Sequence, residues 1–263
     1  MEKGIITSKS NDTVKFLASL KEKNVREQTG LFLLEGRRAV VEGIEAKAAE
    51  RLIVTDTFSK TKEYRSINVN SLPVTILSEA MFQRISETKT PQGIAAICKI
   101  KKHDLQMVLK EEKDILLLED VRDPGNMGTV IRTAAAAGFG AIIASDGCVD
   151  VYNPKVVRST VGCIFKMKII QCKGKFGEIA EEIKHSDFKI FAAHPRGGKD
   201  LFKTEFQDKT AIALGNEANG LSEMMLRKCD SLVTISMEKG VESLNASVAA
   251  ALMMYEVRRK KYK

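Results

Sequence analysis

Residues 115–143 constrain the fold more than any other part of the chain. They open with the apolar run ILLLE, which predicts a buried strand, and Asp123-Pro124-Gly125 then predicts a turn. Asn126 stands where a helix N-cap is expected, and a second apolar run ends the stretch. Between them, apolar residues recur at helical spacing: Met127, Val130, Ile131, Ala134 and Ala135. The stretch predicts a βαβ unit, and open α/β sheets bind ligands at the carboxyl ends of their strands.

The same alternation continues to the end of the chain. Helical patterns separate most of the apolar segments, and Asn153-Pro154 is typical of a cap followed by proline at the first helical position. Alternation of this kind predicts an α/β domain with a mostly parallel sheet and flanking helices. The strand-like segments lie at 115–119, 141–145, 166–170, 188–193, 210–214 and 231–235.

The last helix of this domain is predicted to run from about Leu244 to Arg259. Its pattern predicts that four side chains face the core: Val248, Ala251, Leu252 and Tyr255.

Residues 1–98 predict a separate, small domain of mixed α/β structure. Helical patterns occupy 8–24, 37–49 and 78–86, and four short apolar runs at 32–34, 52–54, 74–76 and 93–97 are typical of strands. The charged segment 99–114 is predicted to be a linker. The second domain would then span residues 115–263.

The charge of the chain favours a polyanionic partner. Its 42 Lys and Arg residues outnumber its 34 Asp and Glu residues, which gives a formal net charge of +8. Basic residues crowd the first 40 positions and the last six. Because the chain has no Trp and only four Tyr, contacts to phosphate are expected in preference to base stacking.

The sequence does not favour a membrane or a metal. No apolar run is long enough for a membrane span, and the first twelve residues lack the apolar core of a signal peptide, so a cytoplasmic location is expected. The five cysteines are scattered without a CxxC pair, and the three histidines do not stand at ligand spacing. Reduced thiols and no metal site are therefore expected.

Polar loops follow three of the predicted strands. The first leads into the helix that carries Arg132 on its polar side, the second is GNEANGLS after 210–214, and the third is SMEKGVESLNAS after 231–235. Each is singly an ordinary βα connection, and a lone helical arginine is ordinarily solvated. Together they would meet at one edge of the sheet and form a site. GxGxxG, GxxxxGK[ST] and GxSxG are missing, which disfavours the usual nucleotide sites and hydrolases.

These loops carry a resemblance to a known family. Their segments look like motifs one, two and three of the SpoU family, which are RNA 2′-O-ribose methyltransferases of the SPOUT superfamily. Asn216 departs from the small residue that the family often has there. The segments, which occur in order within 115–259, are Asn126-x-Gly128-x-x-x-Arg132-Thr-Ala, Leu214-Gly215-Asn216-Glu217-x-x-Gly220-Leu221, and Ile235-x-Met237 followed by Ser243-Leu244-Asn245-Ala-Ser247.

The resemblance implies a fold, a cofactor and an assembly. The second domain would contain a deep trefoil knot that binds S-adenosylmethionine, and the protein would be a homodimer with its active site beside the interface. The cofactor-binding positions implied by the motifs are Leu214, Gly215, Asn216, Gly220, Ile235, Met237 and Leu244.

The implied reaction is in-line displacement of the sulfonium methyl group by a ribose 2′-hydroxyl. The family assigns activation of the hydroxyl to the arginine of motif one, which is Arg132 here. Since a guanidinium group stays protonated, we expect Arg132 to stabilise the developing alkoxide or a neighbouring phosphate. The general base stays unassigned. Four further residues are expected to order the site: Asn126, Glu217, Ser243 and Asn245.

The first domain resembles the substrate-binding domain of many members through Phe32-x-x-Glu35-Gly36 and Thr90-x-Gln92-Gly93. This favours 23S ribosomal RNA over transfer RNA as the substrate. A transfer RNA methyltransferase, a non-catalytic RNA-binding protein and a small-molecule enzyme on a doubly wound sheet remain alternatives, which titration with S-adenosylmethionine and NAD would help to separate. The candidate RNA contacts are Lys9, Lys15, Arg37 and Arg38.

Overall fold

The computed structural model of the protein describes residues 4–69, 72–112, 114–174 and 176–261. Its helices, in chain order, are α1 (Asp12–Ser19), α2 (Lys23–Thr29), α3 (Arg37–Glu45), α4 (Asp56–Ser59), α5 (Lys62–Arg65), α6 (Glu79–Ile85), α7 (Leu105–Glu111), α8 (Pro124–Ala137), α9 (Pro154–Thr160), α10 (Phe176–His185), α11 (Glu223–Lys228) and α12 (Ala246–Lys261). Two short 3₁₀ helices span Cys163–Lys166 and Leu201–Lys203.

Eleven strands run through the described part of the chain. They are β1 (Leu31–Glu35), β2 (Ala49–Thr55), β3 (Val74–Leu77), β4 (Ile94–Lys99), β5 (Asp114–Leu118), β6 (Ala141–Ala144), β7 (Lys168–Gln171), β8 (Lys189–Ala193), β9 (Lys199–Asp200), β10 (Thr210–Leu214) and β11 (Ser231–Thr234). The chain divides into two compact units, one of Met1–Lys101 with Asp150–Phe165 and one of Lys102–Val149 with Lys166–Lys263.

The first unit contains a four-stranded sheet in the order β1-β4-β2-β3. Val14 and Leu17 of α1 pack with Ile53 of β2 and Ile97 of β4 on one face, together with α6. Helix α3 covers the opposite face, where Gly43 lies against Leu34. Successive side chains of a strand point to opposite faces, so α1 and α3 lie on opposite sides of this sheet.

A buried ion pair fastens residues 150–165 within the first unit. Arg26 of α2, which is 2% exposed, donates through its guanidinium to Asp150 and also to the carbonyls of Leu20 and Lys21. The ring of Phe32 lies 5.0 Å from that of Tyr152. Because one guanidinium satisfies a carboxylate and two carbonyls, removing it would leave three buried or partly buried acceptors without this donor.

The second unit contains a seven-stranded sheet in the order β7-β6-β5-β10-β8-β11-β9, and its paired strands are parallel. Helices α7, α10 and α11 pack on one face around Ile115, Ile143 and Ile190. Helices α8 and α12 pack against each other, and α12 also lies on β10 and β8. The prediction of a mostly parallel sheet with flanking helices, preceded by a small mixed unit, is confirmed.

The predicted linker 99–114 contains secondary structure. Helix α7 lies within it and buries Val108 and Leu109 in the core of the second unit, and β5 begins at Asp114. The helix was not predicted because charged residues surround these two apolar side chains and make the apolar pattern weak. The trefoil knot stays a prediction, because strand order does not establish how the chain is threaded.

The predicted orientation of α12 is wrong. Val248, Leu252 and Tyr255 are 47%, 38% and 49% exposed and form one stripe at positions i, i+4 and i+7. The buried face instead consists of Ser247, Ala250, Met253, Met254, Glu256 and Val257. The error arose because this helix carries apolar residues on both faces, and periodicity alone does not indicate which face is covered. None of the helices in the described ranges is long and apolar enough to cross a membrane.

Candidate functional site

Helix α8 begins three residues before the position that the sequence pattern indicated. Asp123 is its N-cap, since the Asp123 carboxylate accepts a hydrogen bond from the backbone N–H of Asn126 at 2.7 Å, and Pro124 is the first helical residue. The prediction of Asn126 as the cap is therefore wrong. Asn126 lies in the first turn, where its side-chain amide is available for other contacts.

The side chain of Asn126 joins the other two motif segments. Its Nδ2 donates to Oε1 of Glu217 at 2.9 Å, and its Oδ1 accepts from Nδ2 of Asn245 at 2.9 Å. Oδ1 of Asn245 in turn accepts from the backbone N–H and the hydroxyl of Ser247 at the start of α12. One continuous hydrogen-bonded chain thus runs from α12 through Asn126 to Glu217.

The loop that follows β10 is closed by its own backbone. Asn216 and Gly220 exchange backbone hydrogen bonds at 3.0 and 2.9 Å, and Gly220 has a φ of +68°. A Cβ atom on Gly215 would lie 2.1 Å from the carbonyl carbon of Gly220, so any larger residue there must displace the loop. Gly215 is required by this close approach of two backbone segments.

Both the nitrogen and the oxygen of the Asn216 side-chain amide form hydrogen bonds within the protein. Its Nδ2 donates to the carbonyl of Asp120 at 2.9 Å, and its Oδ1 accepts from the backbone N–H groups of Ala218 and Asn219. Glu119, at the end of β5, accepts from the N–H and hydroxyl of Ser222 at 2.8 Å each. These contacts fix the loop after β10 beside the loop after β5.

A pocket of about 370 Å³ opens at the carboxyl ends of β8, β10 and β11. It includes every residue for which the motifs implied cofactor binding: Leu214, Gly215, Asn216, Gly220, Ile235, Met237 and Leu244. Glu217 and Ser243 line it too. The structure thus brings these residues together, while their roles stay predictions.

Two segments of the pocket wall were not identified from the sequence. Ala193 ends β8 and is followed by His194 and Pro195, and Glu242 precedes the predicted Ser243. The available signal was the position of His194 at the carboxyl end of a parallel strand, where ligands bind.

Arg132 does not line this pocket. It is exposed on α8 in a stripe with Gly125 and Thr129, as its predicted position on the polar side requires. Within the described ranges, no hydrogen bond or ion pair engages its guanidinium. Asn126, on the same helix, connects that helix to the pocket residue Glu217 through its side-chain hydrogen bond.

The four predicted RNA contacts are all exposed, but they lie on two sides of the first unit. Lys9 precedes α1 and Lys15 lies within it, ion-paired with Asp12 at 3.3 Å. Arg37 and Arg38 begin α3, which covers the opposite face of the sheet. A single flat contact surface therefore cannot use both pairs.

The cysteines are free thiols, and Cys98, Cys148 and Cys172 are buried. Burial raises the pKa of the Cys98 thiol to about 12 and that of Cys172 to about 11, which keeps both protonated at neutral pH. Among the residues that the structure describes, no group of three His, Cys, Asp or Glu side chains is placed to hold a metal ion.

Comparison with known proteins gives a consistent result along the whole chain. Residues 113–255 match the SpoU rRNA Methylase family, and residues 11–96 match the MRM3-like substrate binding domain. The 23S rRNA (guanosine(2553)-2′-O)-methyltransferase RlmP of Bacillus subtilis is 32% identical over 253 residues, which are 96% of this chain and 98% of that protein.

Two solved structures resemble the protein over nearly its full length. The AdoMet-bound rRNA methyltransferase of Sinorhizobium meliloti has a TM-score of 0.86 and 26% identity, and covers 97% of each chain. The SpoU methyltransferase AviRb of Streptomyces viridochromogenes, in complex with AdoMet, also has a TM-score of 0.86 and 26% identity, over 96% of this chain and 99% of that one. The resemblance seen in the three motifs is thereby confirmed, and the chain belongs to the SpoU rRNA methylase family.

Proposed function

We propose that the protein transfers a methyl group from S-adenosylmethionine to a ribose 2′-hydroxyl of 23S ribosomal RNA. One observation carries the proposal: the hydrogen-bonded chain from Asn245 through Asn126 to Glu217 ties the pocket wall to the helix that bears Arg132. Further support comes from the names of relatives such as RlmP, which methylates the 2′-O position of a guanosine in 23S rRNA. A cytoplasmic location is part of this proposal.

The pocket fits S-adenosylmethionine. Its volume of about 370 Å³ falls in the range of roughly 300–1,000 Å³ typical of small-molecule sites. Leu214, Ile235 and Leu244 supply apolar walls, and the backbone around Gly215 and Gly220 supplies polar groups. When bound, the cofactor supplies an electrophilic methyl group on a sulfonium centre.

In this proposal Arg132 stabilises negative charge that develops during transfer and does not take the proton of the ribose 2′-hydroxyl. A guanidinium group is protonated at all physiological pH values, so it does not accept the hydroxyl proton. An exposed arginine that no described residue engages is available to a phosphate or to the oxygen that becomes anionic during transfer. The hydrogen bond from Asn126 to Glu217 fixes the position of α8 relative to the loop after β10.

The first unit would hold the RNA. Its exposed basic residues on α3, Arg37 and Arg38, lie beside Phe58 and Gln92 along one open surface depression. The backbone N–H of Arg37, the residue after the first marker of the substrate-binding domain, donates to Oε1 of Gln92 in the second marker at 2.8 Å. Arg37 and Arg38 offer phosphate contacts on this surface, which Glu42, Glu45 and the partly buried ring of Phe58 also line.

The substrate is tested by incubating the protein with radiolabelled S-adenosylmethionine and total RNA from cells that lack its gene. We expect the label in 23S rRNA. Label confined to transfer RNA would support the alternative substrate, and absence of label together with tight RNA binding would support a non-catalytic RNA-binding protein.

We also propose that the protein is a homodimer through the exposed stripe of α12, formed by Val248, Leu252 and Tyr255. Since contiguous apolar side chains on a surface favour association, Leu252→Glu should shift the protein toward monomer in analytical ultracentrifugation. Met107→Glu, at a residue 54% exposed on α7, is the matched control and should leave the mass unchanged. An unchanged mass for Leu252→Glu would show that this stripe does not form the dimer interface.

A further inference from the structure

His194 occupies a fixed place in the pocket wall that the three motifs do not include. It follows β8, and its backbone N–H donates to the carbonyl of Val233 in β11 at 2.9 Å. The hydroxyl of Thr234 donates to the carbonyl of His194 at 3.0 Å and accepts from the N–H of Gly198. The histidine is thereby tied to the strand that leads into Ile235 and Met237.

The segment after His194 is held to the same strand. Ser236 donates its hydroxyl to Oδ2 of Asp200 at 2.7 Å, and this hydrogen bond lowers the pKa of the Asp200 carboxyl. A Cβ atom on Gly198 would lie 2.7 Å from the backbone of Leu232, so the segment passes close to β11. A side chain held at both ends of its loop can be pre-organised for a ligand.

The ring of His194 has one nitrogen already engaged. Nδ1 lies 2.5 Å from the carbonyl oxygen of Arg196 and 3.3 Å from the N–H of the same residue. A contact of 2.5 Å between two acceptors would be repulsive, whereas 3.3 Å is long for a hydrogen bond, so we assign the proton to Nδ1, which then donates to the carbonyl of Arg196. Nε2 then has a lone pair and no partner among the described residues.

Two neighbouring polar side chains in the pocket, those of Asn216 and Glu217, already form hydrogen bonds within the protein. The amide of Asn216 is consumed by Asp120, Ala218 and Asn219, and Glu217 accepts from Asn126. With the proton on Nδ1, Nε2 of His194 presents a hydrogen-bond acceptor on the same wall. An acceptor at this place suits a ligand that carries N–H or O–H donors.

We infer that His194 is a cofactor-recognition residue, whose Nε2 accepts a hydrogen bond from an N–H or O–H donor of S-adenosylmethionine. The inference rests on the proposed function, since it requires this cofactor in this pocket. The donors available on the cofactor are the 6-amino group of adenine, the ribose hydroxyls and the α-ammonium group.

The direct test is the ¹⁵N spectrum of histidine side chains during titration with S-adenosylmethionine. The chain has three histidines, and His103 and His185 do not line the pocket, so they are internal controls. Free protein should show His194 with a protonated Nδ1, and the cofactor should move its Nε2 resonance alone. No shift at His194 on saturation would overturn the inference.

Variants give a second readout by calorimetry. His194→Ala should weaken binding of S-adenosylmethionine about tenfold, the loss expected for one hydrogen bond in a pocket. His194→Gln places an amide where Nε2 was and should retain most of the affinity, whereas His194→Asn mimics the Nδ1 edge and should not. Wild-type affinity in His194→Ala would contradict the inference, and His185→Ala is the matched control.

Cofactor analogues identify which group of S-adenosylmethionine donates to His194. Binding to the wild-type protein tests the proposed function separately from the role of His194. S-inosylhomocysteine lacks the 6-amino group of S-adenosylhomocysteine, and methylthioadenosine lacks the α-ammonium group. The analogue that lacks the relevant donor should bind the wild type weakly and show no further loss in His194→Ala; equal loss with both analogues identifies a ribose hydroxyl. If the wild type binds no S-adenosylmethionine, the proposed function fails as well, whereas binding without involvement of His194 overturns only this inference.

Discussion

Replacing Arg132 by alanine should lower kcat by about 10²–10³, the cost typical of removing one electrostatic group that stabilises a transition state. The affinity for S-adenosylmethionine should stay at the wild-type value, because Arg132 does not line the pocket. Single-turnover methylation of 23S rRNA and calorimetric titration of the cofactor measure the two quantities separately.

Two further variants define what the loss means. Arg132→Lys keeps the charge but loses the planar fork, so it should recover only part of the rate. Arg227→Ala removes an exposed arginine that pairs with Glu223 on α11, and it should leave kcat unchanged. A wild-type kcat in Arg132→Ala would exclude Arg132 from the chemistry.

Replacing Asn126 by aspartate should be more damaging at neutral pH than its small change in shape suggests. The introduced carboxylate would take the place of an amide that donates to Glu217 at 2.9 Å, so two like charges would meet. Loss of a hydrogen bond to a charged group costs about 1.5–3 kcal/mol, so kcat/KM should fall by roughly 10- to 100-fold or more.

The pH dependence of this variant identifies the cause. Repulsion raises the pKa of the carboxylate pair above its ordinary range, so protonation as pH falls restores a donor between the two groups. The activity of Asn126→Asp relative to wild type should therefore rise as pH is lowered. Asn126→Ala, which cannot regain a donor, should show no such recovery, and a pH-independent ratio for both variants would contradict the account.

The strands of the second unit could be predicted because each is an unbroken apolar run, as in Ile115–Leu118, which pairs on both sides. Strand β9 could not be predicted, since Lys199 and Asp200 carry no pattern and pair only with β11. The predicted N-cap of α8 was wrong although Asp123-Pro124 carries the same signal as Asn153-Pro154, because Asp123-Pro124-Gly125 is also typical of a turn that precedes a cap at Asn126.

The pocket residues could be predicted from motifs that follow parallel strands of one sheet, but the contacts among them could not. Asn126 meets Glu217 across 91 positions of sequence and Asn245 across 119, and neither distance follows from local pattern. The position of His194 after a parallel strand is a weak signal, because a single histidine at such a place is also typical of an ordinary loop.

The packing of residues 150–165 within the first unit also could not be predicted from sequence pattern. Because Arg26 pairs with Asp150 and Phe32 contacts Tyr152 and Phe165, a fragment that begins near Lys102 would lack the partners of this segment. The domain boundary at residue 98 stays a prediction, but a truncation there would expose at least two aromatic rings. Point variants on α3 are therefore the better way to remove RNA contacts.

The measurement closest to the central claim is the alkaline digestion of 23S rRNA that the protein has methylated with radiolabelled S-adenosylmethionine. Alkaline cleavage of RNA requires a free 2′-hydroxyl, so a 2′-O-methyl group protects the bond that follows it. The account predicts that the label is recovered in one alkali-resistant dinucleotide, and that Arg132→Ala yields it far more slowly. Label released in mononucleotides would show methylation of a base, and would contradict transfer to the ribose.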